Sequence, residues 1–326
     1  MADNKDNERA ELHKIIWRIA NELRGSVDGW EFKTYVLGFL FYRYISENIA
    51  NAVKKYQKGS GKKDFDYASF DDEKAVKGKS NLITYKGFFM KPSELFVNVR
   101  KNASNNPNLN IDLQKIFKNI ELSANGTNSQ DNLKGLFSDV DLNSNRLGST
   151  VADINKKLVK LLNAIGDLPL GEYQTNSIDA FGDAYEYLMS MYAANAGKSG
   201  GEYFTPQEVS ELLARITLIN FMRSGKPDKK EIQRVYDPAC GSGSLLLKFV
   251  KLIGKENVRD GFYGQEINPT TYNLARINMF LHDVGYKKFH IHHGDTLIKN
   301  ARWNLRDIDK FDAIVSNPPY SVHWEG

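Results

Sequence analysis

A single cysteine, Cys240, stands among 326 residues, so no disulfide can form within the chain. Cysteine and histidine do not cluster at ligand spacing either, which excludes the usual structural zinc site and predicts no metal. Long apolar runs are missing: the longest stretch, around Tyr35 to Ile45, is broken by Arg43 and falls short of a membrane-crossing helix. Met1 to Arg9 are polar and charged, without the apolar segment of an export signal. Charge of one sign is scarce, because 44 basic residues face 40 acidic ones for a formal net charge of +4. Such a mixed surface permits nucleic acid without being a dedicated polyanion binder. No repeat at solenoid spacing occurs. These absences together fit a reducing, cytoplasmic setting.

What is present, 41% hydrophobic and 12% aromatic residues, suffices for two ordinary domains with buried cores. In the first part, Leu12, Ile15, Ile16, Ile19 and Leu23 fall on one helical face that Gly25 ends, and Trp30 to Ile49 carries a broad apolar face. Lys54 to Lys79 has neither helical nor strand period and reads as a polar loop. Helical patterns return at Pro92 to Arg100, Ile111 to Leu122, Val151 to Ile165 and Ile178 to Tyr192, with an Asn-rich loop at Asn102 to Asn110. No strand alternation precedes Gly200. Beyond it, Arg234 to Tyr236, Gly261 to Tyr263, His290 to His292 and Phe311 to Ser316 are short β-rich segments between helical stretches, the rhythm of a parallel α/β sheet. The expected domains are 1–168, all helical, and 169–326, a Rossmann-like sheet.

The first β-rich segment runs into Asp237, Pro238, Ala239, Cys240, Gly241, Ser242 and Gly243, followed by the apolar helix opening Leu245, Leu246, Leu247. Glycines let backbone approach a ligand, and a helix N-terminus offers free N–H groups. A tight structural turn explains the glycines equally well when they are taken alone. Glu266 follows the second segment, where a carboxylate in a doubly wound fold accepts hydrogen bonds from a ribose diol. Asp295 follows the third and can accept from an adenine amino group, or simply cap the next helix. Because Asp237 would repel a pyrophosphate, the cluster suits S-adenosylmethionine, with its sulfonium and ammonium, better than a dinucleotide.

The fourth segment ends in Asn317, Pro318, Pro319 and Tyr320. Methyl transfer to an exocyclic amine needs hydrogen-bond acceptors that free a lone pair delocalised into the ring. Two prolines after a strand could also just end it and make a turn. The glycine loop, Glu266, Asp295 and this tetrad resemble the successive motifs of amino-methyltransferases acting on DNA. That resemblance implies that the Asn317 side-chain oxygen and the Pro318 carbonyl accept the two N6 hydrogens of adenine. It implies further that Tyr320 stacks on an adenine taken out of the duplex.

Glu202, Tyr203, Phe204, Thr205 and Pro206 lie upstream of the sheet. Thr205, Pro206 and Glu208 read as N-cap, first-turn proline and capping-box partner. The aromatic pair ahead of them resembles the cofactor-covering motif of adenine-N6 methyltransferases with this motif order. The run Ile16, Trp17, Arg18 through Ser26, and Tyr35 to Ser46, is similar to the helical N-domain of type I modification subunits. In that family the subunit works on DNA as two copies with a specificity subunit, and a restriction subunit is a further partner. The tetrad also serves enzymes that methylate protein glutamine or RNA amino groups, and a non-catalytic assembly subunit could keep the same fold. A sheet of this class continues past its fourth strand, so residues 1–326 are expected to fold with an incomplete sheet and not to methylate DNA alone. Cys240 reads as a packing residue, His292 and His293 as strand-end residues. The lysines from Lys54 to Lys79 read as a solvated loop that could also contact phosphate.

Overall fold

The computed structural model describes residues 7, 10–17, 29–62, 64–170, 180–195, 205–219, 221, 232–298 and 310–319. The chain divides into two compact units, Met1–Leu188 and Met189–Gly326.

The described elements of the first unit are helical. Residues 10–17 form α1, with Leu12 and Ile16 buried on one face. The centre is α2 (Gly29–Gly59), where Phe39, Leu40, Phe41, Tyr42, Ile45 and Ile49 are fully buried. Each such side chain contributes roughly 1.5–3 kcal/mol by leaving water. Phe39 and Tyr42 meet the edge of Phe117, which itself stacks on Phe137 at 4.2 Å. Phe117 belongs to α6 (Leu109–Ser123). α8 (Val151–Gly166) starts where Thr150 Oγ1 accepts the Asp153 N–H at 3.1 Å, and it buries Ile154, Leu158, Leu161, Leu162 and Ile165 at helical spacing. Its end is held by Arg43 of α2, whose Nη1 donates to the carbonyls of Ile165 (2.6 Å) and Leu168 (3.0 Å). A part-buried guanidinium thereby adds side-chain hydrogen bonds to carbonyls that already accept backbone N–H groups from Asp167, Leu168 and Leu170.

Lys54 to Lys79, expected as a loop, is largely helical. α2 continues to Gly59, a 3-10 turn covers Tyr67–Ser69, and α3 (Asp72–Lys77) and α4 (Lys79–Lys86) follow. Among their residues α3 buries only Ala75 and α4 only Ile83, so neither writes an apolar stripe. Capping defines them instead: Asp71 Oδ1 accepts the Lys74 N–H at 3.0 Å, and Gly87 closes α4 at φ 92°. The Asn-rich loop is shorter than expected, since Ala103–Asn105 is a 3-10 turn and α6 begins at Leu109. α5 (Phe96–Asn102) and the single turn α7 (Gln130–Leu133) complete the region before α8, and α9 (Ala180–Asn195) follows it.

The second unit opens with α10 (Gln207–Thr217) and holds four parallel strands, β1 (Ile232–Asp237), β2 (Val258–Glu266), β3 (Phe289–His293) and β4 (Ala313–Ile314), in the order β3-β2-β1-β4. α11 (Ser244–Ile253) crosses from β1 to β2, and α12 (Pro269–Leu281) from β2 to β3. Val235, Phe262 and Phe289 lie in register and are fully buried. Phe280 of α12 meets Phe289 edge-on, which places that helix over this face. β2 is longer than its apolar letters suggest because Gly261 adopts φ +110° beside β3, where a Cβ would lie 2.3 Å from the Lys288 carbonyl oxygen. β4 is shorter than Phe311 to Ser316. Phe311 stacks on Tyr236 at 4.6 Å, and Asp312 Oδ2 accepts the N–H groups of Gln233 and Arg234. Backbone bonds to β1 still flank the two paired residues, from the Asp312 N–H to the Arg234 carbonyl at 3.1 Å and from the Val315 N–H to the Tyr236 carbonyl at 2.9 Å. Among the described residues no helix is long and apolar enough to cross a membrane.

Candidate functional site

The strand order reverses between β1, which leads through β2 to β3, and β4, which lies on the other side of β1. In open α/β sheets the carboxyl ends at such a reversal flank a crevice where ligands bind. Residues expected in the site gather there.

At the end of β1, Asp237 is fully buried. Its Oδ1 accepts the Ala239 N–H at 3.0 Å, folding the chain into the glycine loop, while Oδ2 is buried with no partner. Burial drives the carboxyl up to about 7; the Ala239 N–H and the Ser316 hydroxyl oppose that rise, and nearby Glu266 adds to it. Ser316 Oγ, although close enough to act on Asp237, makes no hydrogen bond of normal geometry and is itself buried without a partner.

The loop turns back under the sheet edge, where the Cys240 N–H donates to the Gln265 carbonyl at 2.9 Å. Cys240 is buried, and burial lifts its thiol well above the ordinary range, consistent with packing and not with a nucleophile. Gly241 and Gly243 take φ of 54° and 80°. Gly243 is the N-cap of α11 and contributes no side-chain bond to the first-turn N–H groups, which remain available to a ligand. Ser242 is buried, and its carbonyl accepts from Asn278 Nδ2 of α12 at 2.9 Å.

Glu266 ends β2 with Oε2 accepting the Gly241 N–H at 3.0 Å and Oε1 the Asn268 N–H at 2.8 Å. It thus ties the glycine loop to the start of α12. Burial raises its pKa, against these backbone N–H groups, which lower it. Each carboxylate oxygen carries a second lone pair, so acceptor capacity for a hydroxyl pair remains. Beyond β3, Asp295 Oδ1 accepts the Leu297 N–H at 2.8 Å, and the neighbouring Thr296 hydroxyl donates to the Pro238 carbonyl at 2.5 Å.

From the far side of the reversal, Asn317 follows β4 and donates from Nδ2 to Thr205 Oγ1 at 3.2 Å. That bond orients the carboxamide and leaves its oxygen as the acceptor. The Thr205 hydroxyl makes no cap bond to the following helix. Pro206 is the N-cap of α10, with no side-chain cap bond, so the expected capping box is not formed. Pro318 and Pro319 are exposed. Glu202, Tyr203, Phe204 and Tyr320 lie outside the described residues.

Reading the sequence missed Asn278, Ser316 and Gln265, all of which act through backbone carbonyls or burial and follow no spacing rule. Asn268 was legible: its Oδ1 accepts the Thr271 N–H at 3.0 Å with Pro269 next in line, an ordinary N-cap signature.

The donor set fits a cationic nucleoside. Asp237 keeps an orphaned buried oxygen, none of the groups acting on it is a cation, and Gly243 packs so closely on α12 that a Cβ would meet Met279 Cε at 3.2 Å. A pyrophosphate would face two carboxylates here. Among the described residues no group of His, Cys, Asp or Glu is arranged to hold a metal ion.

Residues 176–326 match the family model described as N-6 DNA Methylase, and residues 12–165 match that of the HsdM N-terminal domain. The chain is 48% identical over 339 residues to the type I restriction enzyme MpnII methylase subunit of Mycoplasma pneumoniae, covering 100% of this chain and 61% of that protein. It is 28% identical to the MjaVIII methylase subunit of Methanocaldococcus jannaschii, covering 93% of this chain and 46% of the relative. Among solved structures, a type I restriction-modification methyltransferase subunit from Streptococcus thermophilus superposes with a TM-score of 0.79 at 28% identity, covering 97% of this chain and 64% of that one. The chain thus spans about half to three-fifths of the length of these curated relatives.

Proposed function

We propose that the chain, whose residues 12–165 match the HsdM N-terminal domain and 176–326 the N-6 DNA Methylase model, is an adenine-specific DNA methyltransferase subunit. Residues 1–168 are assigned to the helical domain and 169–326 to the S-adenosylmethionine-dependent domain. The observation that carries the reading is Asn317, held by Thr205 beside the reversal of the sheet, with Asp237 and Glu266 at neighbouring strand ends.

S-adenosylmethionine supplies an electrophilic methyl on a sulfonium sulfur. Gly241, Ser242 and Gly243 give the close backbone approach, Glu266 accepts from the ribose hydroxyls and Asp295 from the amino group of the cofactor's base. Glu202, Tyr203, Phe204, Thr205 and Pro206 are assigned to covering it. Asn317 Oδ1 and the Pro318 carbonyl accept the two N6 hydrogens of the target adenine, so the nitrogen lone pair points out of the ring plane toward the methyl. Pro318 and Pro319 restrict the backbone that aims this carbonyl. With the cofactor bound, the N6–CH3 bond would form as the sulfonium C–S bond broke, and one N6 proton would leave to water. Tyr320 stacks on the extruded adenine, a contact of roughly 1–3 kcal/mol.

The proposed partners are duplex DNA, a specificity subunit that selects the sequence, a second copy of this chain and a restriction subunit, in the cytoplasm. The test incubates the chain and its specificity subunit with methyl-labelled S-adenosylmethionine and duplex DNA, then identifies the labelled nucleoside. Label in N6-methyladenine is expected; label in protein, RNA or cytosine would refute the assignment.

A further inference from the structure

Asp237 is a residue whose state the proposed reaction does not use. It is fully buried at the end of β1, with Oδ1 bound to the Ala239 N–H and Oδ2 orphaned. The groups facing it are Glu266 from β2, the Cys240 thiol from the glycine loop, Tyr236 from its own strand, and the neutral Ser316 hydroxyl beyond β4. None is cationic. A buried carboxylate with one unsatisfied oxygen, a second carboxyl nearby and no counter-charge is costly when ionised, and the inexpensive remedy is a proton.

We propose that Asp237 couples cofactor binding to proton release: its half-satisfied carboxyl holds a proton in the free site and yields it to solvent when a cationic ligand docks. The inference rests on reading the site as one for a sulfonium donor and adds a property which that reading does not require. Burial sets the free carboxyl near 7, so it is partly protonated at neutral pH. A docked cation favours the ionised form and lowers that value, so affinity is full above about pH 7 and falls as pH drops through it. Between pH 8 and pH 6 the ionised fraction of the free site falls from about nine-tenths to about one-tenth, and the dissociation constant rises about tenfold.

Calorimetry of the 326-residue chain at pH 6, in buffers of different ionisation enthalpy, counts the protons. S-adenosylmethionine should release close to one, whereas 5′-methylthioadenosine, which has the nucleoside but neither cationic centre, should release almost none. Asp237→Asn keeps the acceptor for Ala239 but cannot ionise, and should abolish the proton release and flatten the pH dependence. Glu266→Gln should weaken binding and, because Glu266 helps to raise the Asp237 carboxyl, shift the proton release to lower pH without abolishing it. Binding of S-adenosylmethionine without proton release, equal release with the uncharged nucleoside, or release that persists in Asp237→Asn and disappears in Glu266→Gln would each overturn the inference. If neither compound binds, the reading of the site falls with it.

Discussion

At Gly261 the β2 backbone takes φ +110° and approaches the Lys288 carbonyl so closely that no side chain fits. Gly261→Ala should therefore cost about 3 kcal/mol through backbone strain and overpacking, read as a shift of the urea unfolding midpoint. Gly285→Ala, where a Cβ meets nothing within 4 Å, should change stability by less than about 0.5 kcal/mol. Chemistry at this scale centres on Asn317, whose carboxamide is oriented by one hydrogen bond to Thr205. In the proposed mechanism Asn317→Ala removes an acceptor of the transition state and should slow methyl transfer by about 10²–10³-fold, with little change in cofactor affinity by calorimetry. The residues proposed for this chemistry could be picked out in the sequence because such chemistry demands particular side chains: a carboxylate after β2, an amide after β4, glycines in the loop after β1. The bond from Asn317 to Thr205, which are 112 positions apart, was not legible. In the sequence the threonine looked like a helix cap, and only the fold brings the amide to it.

The elements that periodicity revealed are those that bury a stripe, such as α8 with five apolar positions on one face. It did not reveal α3 and α4, which are set by Asp71 and Gly87 and bury one described side chain each. Strands posed the opposite difficulty. Both faces of β2 are enclosed, so its letters do not alternate, and Gly261 within it resembles a breaker. Termini of elements carry their own energetics, as the end of α8 illustrates. Arg43, whose side chain is 11% exposed, donates there to the carbonyls of Ile165 and Leu168, tying α2 to the end of α8, whereas Arg100 pairs with Asp167 at a much more exposed position. Arg43→Ala should cost about 2 kcal/mol and accelerate hydrogen exchange in the last turn of α8. Arg100→Ala should cost less than about 1 kcal/mol, because solvent screens its ion pair.

For the whole molecule, a helical unit followed by a parallel sheet was readable from the change of texture near residue 200, since sheets and helices bury apolar residues at different periods. A ligand that binds only the folded sheet unit stabilises it by mass action, about 2.7 kcal/mol at a hundredfold excess over its dissociation constant. S-adenosylmethionine should accordingly slow hydrogen exchange across the glycine loop, α11 and the end of β2. Protection confined to the helices before residue 170 would place the ligand elsewhere.

The central claim is spatial: the carboxyl edge of this sheet holds a sulfonium donor within reach of an amine gripped by Asn317 and Pro318. A crystal structure of the chain with bound S-adenosylmethionine tests it most directly. The account predicts the ribose on Glu266, the base beside Asp295 and the methyl directed toward the Asn317 carboxamide oxygen. A ligand seated away from the β1–β4 reversal, or with its methyl turned from Asn317, would contradict it.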